Sequence, residues 1–214
     1  MSRALLLIDL QNDFCPGGAL AVPEGDRVIA VANRAMECCR QASIPVVASL
    51  DWHPRNHGSF AVNAGHEAGG AGTLDGLPQI WWPVHCVQHT PGAQLHPRLN
   101  HGGIDKRVYK GLRAEIDSYS AFFDNGHRRQ TELNDWLRAR DVDHLTVMGL
   151  ATDYCVKFTV LDALSLGYAA DVITDGCRGV NLAPADSDQA LEDMHHRGAT
   201  LMTADEFAAS LART

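Results

Sequence analysis

The stretch His144-Leu-Thr-Val-Met-Gly149-Leu-Ala-Thr-Asp-Tyr-Cys155-Val-Lys-Phe-Thr-Val-Leu-Asp-Ala-Leu-Ser-Leu166-Gly167-Tyr-Ala-Ala170-Asp-Val-Ile-Thr174 decides the fold. Its short apolar run from His144 to Met148 reads as a buried strand closed by Gly149, and Tyr154 to Leu166 reads as a helix. Gly167 then stops the helix, because a residue without a side chain takes the left-handed terminus at no steric cost. Ala170 to Thr174 reads as the next strand. Strand, helix and strand in this order pair the two strands in parallel, and a parallel sheet needs helices on both faces.

The same alternation recurs on either side. Thr131 to Arg140 reads as a helix with Leu133, Trp136 and Leu137 on its apolar side. Ser187 to Arg197 reads as another, ended by Gly198 and followed by a short strand from Ala199 to Met202. Thr203-Ala-Asp-Glu206 has the capping-box spacing that opens a last helix. Toward the N-terminus, Ala4 to Ile8 is an apolar run cut off by Asp9, the signature of a strand buried on both faces. Val28, Ile29, Ala32, Ala35, Met36 and Cys39 follow at a spacing near 3.6, and Ile44 to Ser49 reads as a second buried strand. Arg107-Val-Tyr109 reads as one more. The expected class is α/β, a three-layer α/β/α architecture with a mostly parallel, Rossmann-like central sheet. No repeat, linker or low-complexity tract divides the chain, so residues 1–214 are expected to form a single domain.

One stretch departs from the pattern. From Asp51 to about Pro91 the chain is rich in Gly, His, Pro and Trp and shows no apolar period, and a long structureless segment inside a compact domain is usually functional. Composition narrows the function further. The chain has 26 acidic and 18 basic residues, a formal charge of -8, whereas a protein that binds through phosphate contacts needs a basic surface. No nucleic-acid partner is expected. The first apolar run is interrupted by Asp9 before it could form a signal-peptide core, and no stretch approaches the ~20 apolar residues of a membrane span. A cytoplasmic protein with no membrane partner is the expectation. The six cysteines include no Cys-x-x-Cys pair, which removes zinc fingers and thioredoxin-like redox motifs.

Ligands of open parallel sheets bind beyond the carboxyl ends of the strands. The polar residues expected there are Asp9, Asp51, His53, Lys110, the turn from Gly149 to Cys155, and Asp175. The first turn, Asp9-Leu-Gln-Asn-Asp-Phe14, lacks G-x-G-x-x-G, so no dinucleotide is indicated, and there is no Walker loop. Cys155 falls at the start of a helix, where free N–H groups and the dipole lower a thiol pKa and can hold an oxyanion. The alternative is a buried packing cysteine. A cysteine nucleophile needs a proton acceptor and a cation, and Asp9 and Lys110 both end strands; the competing reading of that pair is a structural salt bridge. Lys157, two residues beyond Cys155, belongs on another helix face. Asp51, His53, His57 and His85 offer one carboxylate and three imidazoles, a set suited to zinc, iron or manganese with water in open positions. With 11 histidines in the chain, chance clustering is the alternative. Phe14, Trp81, Trp82 and Tyr119 are either walls of an aromatic pocket or core.

The segments Ala4-Leu-Leu-Leu-Ile-Asp-Leu-Gln-Asn-Asp-Phe14, Asp51-Trp-His-Pro54, Trp82-Pro-Val-His-Cys-Val87, Lys110, Asp117-Ser-Tyr-Ser-Ala-Phe-Phe-Asp124 and Gly149-Leu-Ala-Thr-Asp-Tyr-Cys-Val-Lys-Phe158 span nearly the whole chain. Jointly they resemble the isochorismatase-like cysteine hydrolases, and among them the nicotinamidases, also called pyrazinamidases. The resemblance implies a catalytic triad of Asp9, Lys110 and Cys155. It implies a cis Leu150-Ala151 peptide and an oxyanion hole made by the N–H groups of Ala151 and Cys155. One divalent metal ion, with zinc first among the candidates and iron or manganese after it, would be held by Asp51, His53 and His85. His57 is a further candidate ligand from the same loop. Phe14, Trp82 and Tyr119 would sandwich a pyridine ring.

The activity so implied is hydrolysis of nicotinamide to nicotinate and ammonia through a Cys155 thioester, in NAD salvage, with a side activity on pyrazinamide. A homo-oligomer stays open. Two rivals stand beside this reading. One is an amidohydrolase of the same superfamily acting on a carbamoyl or ureido substrate; the other is a non-catalytic metal-binding or thiol-sensing protein.

Overall fold

The computed structural model describes residues 2–212. Six strands form one sheet: β1 (Ser2–Ile8), β2 (Val46–Asp51), then after an outlying hairpin of β3 (Ala71–Leu74) and β4 (Leu77–Ile80), β5 (Lys106–Lys110), β6 (Val142–Leu150), β7 (Ala169–Arg178) and β8 (Thr200–Met202). The order in the sheet is β5-β2-β1-β6-β7-β8, and every pair in it is parallel. β1 lies inside the sheet with Ala4 to Ile8 all buried, as an unbroken apolar run requires when both faces are covered. The helices are α1 (Arg27–Gln41), α2 (Ala61–Ala64), α3 (Leu133–Arg138), α4 (Lys157–Ser165), α5 (Asp186–His196) and α6 (Ala204–Leu211). α1 and α6 pack on each other and on β7, while α4 pairs with α5. The layered, mostly parallel α/β architecture expected from the periodicity is the one observed.

The order in which strands are added reverses about β1. The chain builds outward from β1 to β2 and β5 on one side, then returns to add β6, β7 and β8 on the other, so a crevice opens between the ends of β1 and β6. Register then fixes what faces that crevice. Ile8 pairs with Ser49 and with Gly149, and Asp51 pairs with Lys110. Asp9, Asp51, Lys110 and the turn after Leu150 therefore stand together above one edge. Gly149 is required there: its φ is 133°, and a Cβ would sit 2.2 Å from the Ile8 carbonyl oxygen.

Three features depart from the sequence reading. The stretch after Asp51 is not structureless, because Ala71–Leu74 and Leu77–Ile80 form an antiparallel hairpin about Asp75 and Gly76, both at positive φ. That is the primed two-residue turn which matches strand twist and which Asp-Gly favours. The helix expected from Tyr154 begins instead as a π-turn over Thr152–Val156 and becomes α-helical only from Lys157. Asp175 lies within β7 rather than beyond it, and its carboxylate accepts the Ala204 N–H at 2.8 Å. It serves the start of α6. The capping box at that start is present as expected, with Thr203 and Glu206 bonded reciprocally.

Candidate active site

Lys110 is the centre of the crevice. Its ammonium, fully buried, lies 2.9 Å from Asp9 Oδ2, 2.5 Å from Asp51 Oδ1 and 3.3 Å from Cys155 Sγ, and donates to the Ser118 carbonyl at 2.9 Å. Asp9 Oδ1 accepts the Ser49 hydroxyl at 2.6 Å, and Cys155 Sγ lies within 4.8 Å of an Asp9 carboxylate oxygen. The three residues expected to form a triad thus meet at one ammonium.

Burial and charge oppose one another here. Desolvation lifts Asp9 above the usual aspartate range even though Lys110 pulls it down. Desolvation would lower Lys110, but the carboxylates of Asp51 and Asp9 outweigh it and hold the ammonium well above its ordinary value. Asp51 stays ionised, well below the ordinary range, because Lys110 and His53 overcome its burial. Cys155 goes the other way from the expectation for a helix start: burial pushes the thiol well up, and Lys110 only partly offsets it. The resting group is a thiol against a basic carboxylate.

Beyond Lys110 lies the imidazole cluster. His53 and His85 direct Nε2 at Asp51 Oδ2, at 3.4 and 3.6 Å. Their Nδ1 atoms face carbonyl oxygens, Gly111 at 2.9 Å and Pro83 at 2.8 Å. A carbonyl only accepts, so each Nδ1 carries a proton and Nε2 is the ring atom turned to the carboxylate, the orientation that outer partners impose on metal-ligating histidines. Two ligands on a tetrahedral ion with ~2.1 Å bonds stand about 3.4 Å apart, so the spacing suits a cation. His53 Nε2 is buried and has no hydrogen-bond partner among the described residues. Its environment asks for positive charge: Asp51 raises the imidazole pKa against the effect of burial. Asp51, His53 and His85 could hold a metal ion.

His57 is near this set and outside it. Its ring centroid is 4.2 Å from that of His53, but its ligating atom clusters with His53 and Asp117, not with Asp51 and His85. The Ser59 N–H donates to His57 Nδ1 at 3.2 Å, which leaves the proton on Nε2. Burial and the neighbouring His53 push its pKa down to about 4.

Phe14, Trp82 and Tyr119 line one small cavity with Asp51, His85, Ala151 and Cys155. Trp82 Nε1 donates to the Tyr119 hydroxyl at 3.3 Å, fixing two walls together. The Leu150-Ala151 peptide at its floor is cis. Trp81 is not a wall; it stacks on His66 at 4.7 Å. Lys157 pairs with Asp193 at 2.7 Å, away from the thiol, as its position in the sequence implied. Four cavity residues escaped the sequence reading, Leu20, Asp117, Tyr154 and Val180, and the first and last lie in no segment singled out there. Tyr154 directly precedes Cys155, and Asp117 opens the segment Asp117 to Asp124, so adjacency was the available signal for those two.

A family model described as Isochorismatase domain matches residues 3–206. A nicotinamidase of Escherichia coli is 62% identical over 201 residues, covering 94% of each chain. Among solved structures, an Acinetobacter baumanii nicotinamidase/pyrazinamidase superposes with a TM-score of 0.91 at 39% identity, covering 96% of this chain and 97% of that one. A pyrazinamidase of Pyrococcus horikoshii in complex with zinc gives a TM-score of 0.79 at 35% identity, covering 95% and 99%.

Proposed function

This chain belongs to the isochorismatase domain family, and from that premise and the crevice geometry we propose that it hydrolyses nicotinamide to nicotinate and ammonia. The observation that carries the reading is the single ammonium of Lys110 touching Asp9, Asp51 and Cys155 at once. Asp9 accepts the Cys155 proton, and Lys110 keeps the resulting thiolate and the Asp51 carboxylate compensated. The thiolate attacks the carboxamide carbon. The developing oxyanion is received by the N–H groups of Ala151 and Cys155, and Asp9 returns its proton to the departing nitrogen, so that ammonia leaves and a thioester remains. Water then cleaves the thioester with Asp9 as base, giving nicotinate and the free thiol.

Phe14, Trp82 and Tyr119 sandwich the pyridine ring and orient the amide toward Sγ. Asp51, His53 and His85 are the residues that would hold a divalent ion, with zinc favoured by the two-imidazole, one-carboxylate donor set and by the zinc complex of the Pyrococcus horikoshii relative. Such an ion supplies a Lewis acid for the ring nitrogen. The pocket discriminates weakly between near-isosteres, so pyrazinamide is a second substrate. The product returns the pyridine ring toward NAD, and the protein works in the cytoplasm. No helix of the described residues is long and apolar enough to cross a membrane.

The deciding experiment is ammonia release from nicotinamide compared with a carbamoyl or ureido amide. Release from nicotinamide alone supports the assignment. Release only from the ureido compound, or from neither, removes it.

A further inference from the structure

Asp9-Leu-Gln-Asn-Asp-Phe14 supplies the base and one wall of the ring cavity, yet two of its polar side chains face away from both. Gln11 is fully buried. Its Nε2 donates to the Asp51 carbonyl at 2.7 Å and to the Ala93 carbonyl at 2.9 Å, while its Oε1 accepts the Asp51 N–H at 2.9 Å. Both main-chain polar groups of Asp51 are thus tied to one side chain. The reason lies in the sheet: β1 stops at Ile8, so at Asp51 the ladder on that side has run out and the glutamine amide takes its place.

Asp13 does the same on the other side of the cluster. Its Oδ2 accepts the N–H of Cys86 at 2.7 Å, next to His85 and at a positive φ of 46°. The Cys86 carbonyl in turn accepts the His53 N–H at 2.9 Å. Gly92 makes room for this carboxylate, since a Cβ there would lie 2.2 Å from Oδ2.

We propose that Gln11 and Asp13 are positioning residues that hold Asp51, His53 and His85 in register with Asp9, so that one six-residue segment sets both the base and the metal site. The proposal rests on the reading of those three residues as ligands. A freed Asp51 main chain lets the carboxylate swing toward Lys110, which already holds Oδ1 at 2.5 Å, and the cluster then loses its only anionic donor. A brace on the main chain prevents that swing without occupying a ligand atom.

The test is zinc affinity, measured on folded protein by competition with a chromogenic chelator, for wild type, Asp51→Ala, Gln11→Met, Asp13→Ala and Asn12→Ala. Gln11→Met and Asp13→Ala are expected to weaken zinc binding by about ten- to hundredfold, with Cys155 alkylation by iodoacetamide changed by no more than about twofold. Asn12→Ala loses a surface bond from the same segment to the Pro91 carbonyl and is expected to bind zinc as wild type does. If Gln11→Met does not fold, Gln11→Glu replaces it, because it keeps the length and the acceptor for Asp51 N–H and loses the donor. Wild-type zinc affinity in the Gln11 variant that folds overturns the proposal, as does equal weakening by Asn12→Ala. Wild-type affinity in Asp51→Ala overturns the ligand assignment itself.

Discussion

Lys110 and Asp51, partners in the parallel register of β5 and β2, form a 2.5 Å ion pair whose other ends serve different purposes. Lys110 also meets Asp9 and Cys155, and the second oxygen of Asp51 faces His53 and His85. One buried pair therefore joins Cys155 to the imidazole cluster.

Removing the cation of that pair leaves two buried carboxylates without the ammonium they share. Lys110→Met should destabilise the fold by about 3–5 kcal/mol, the usual effect of breaking a buried ion pair from one side. Urea unfolding measures it. Activity should fall with it, and Lys110→Met combined with Asp9→Asn should be little worse in kcat than either alone, because the two act in one step. Multiplicative losses would separate their roles.

The raised pKa of Asp9 gives a pH dependence whose sign is fixed. With Asp9 protonated the thiol has no acceptor, so kcat/KM should fall as pH drops through a value above the ordinary 3.8 of aspartate. For stability, a raised folded pKa means the protonated form favours folding, and that contribution is lost as pH rises through it. Above that pKa the ionised Asp9 therefore weakens the fold. Asp9→Asn should have a Tm at pH 7 no lower than wild type while kcat falls by about 100-fold or more. A lower Tm would show that the pair with Lys110 outweighs the burial of the charge.

Cys155→Ala should abolish ammonia release and change stability by no more than about 1–2 kcal/mol. Alkylation separates the nucleophile from the other thiols by mechanism rather than by speed. Burial holds Cys39 and Cys177 near 12, so both should resist iodoacetamide at neutral pH, and partly exposed Cys38 should react regardless of substrate. Cys155 should react only while Asp9 can take its proton, and nicotinamide should protect it. Unchanged Cys155 labelling in Asp9→Asn would remove Asp9 as the acceptor.

That labelling pattern also marks where sequence was a poor guide. Helix position suggested a depressed thiol pKa, but the number of neighbours that bury Cys155 depends on strands far away in the chain, and burial won. The strands were legible because runs such as Ala4 to Ile8 state double-sided burial directly. Their ends were less so: β6 and β7 continue to Leu150 and Arg178 through polar and glycine residues that carry no apolar period. The hairpin after Asp51 was missed although Leu74-Asp-Gly-Leu77 contains the primed-turn pair, because the flanking strands are short and half exposed. Gln11 was invisible as a brace. Its role exists only once β1 and β2 are side by side.

Metal removal distinguishes an ion that orients the ring from one that activates the attacking group. An orienting ion at Asp51, His53 and His85 needs the pyridine nitrogen, and benzamide lacks it while keeping the ring and the carboxamide. Benzamide should be a poor substrate of the loaded enzyme, and chelation should change its small rate far less than it changes the nicotinamide rate. Cys155 alkylation should meanwhile continue at nearly its original rate, since Lys110 rather than the ion adjoins the sulfur. A water-activating ion forecasts the opposite: both substrates would lose activity together, and Cys155→Ala would retain metal-dependent turnover. Steady-state ammonia release with the two substrates, before and after chelation and after zinc is restored, reads the difference. Equal sensitivity of benzamide and nicotinamide would defeat the orienting role and leave the ion structural or directly catalytic.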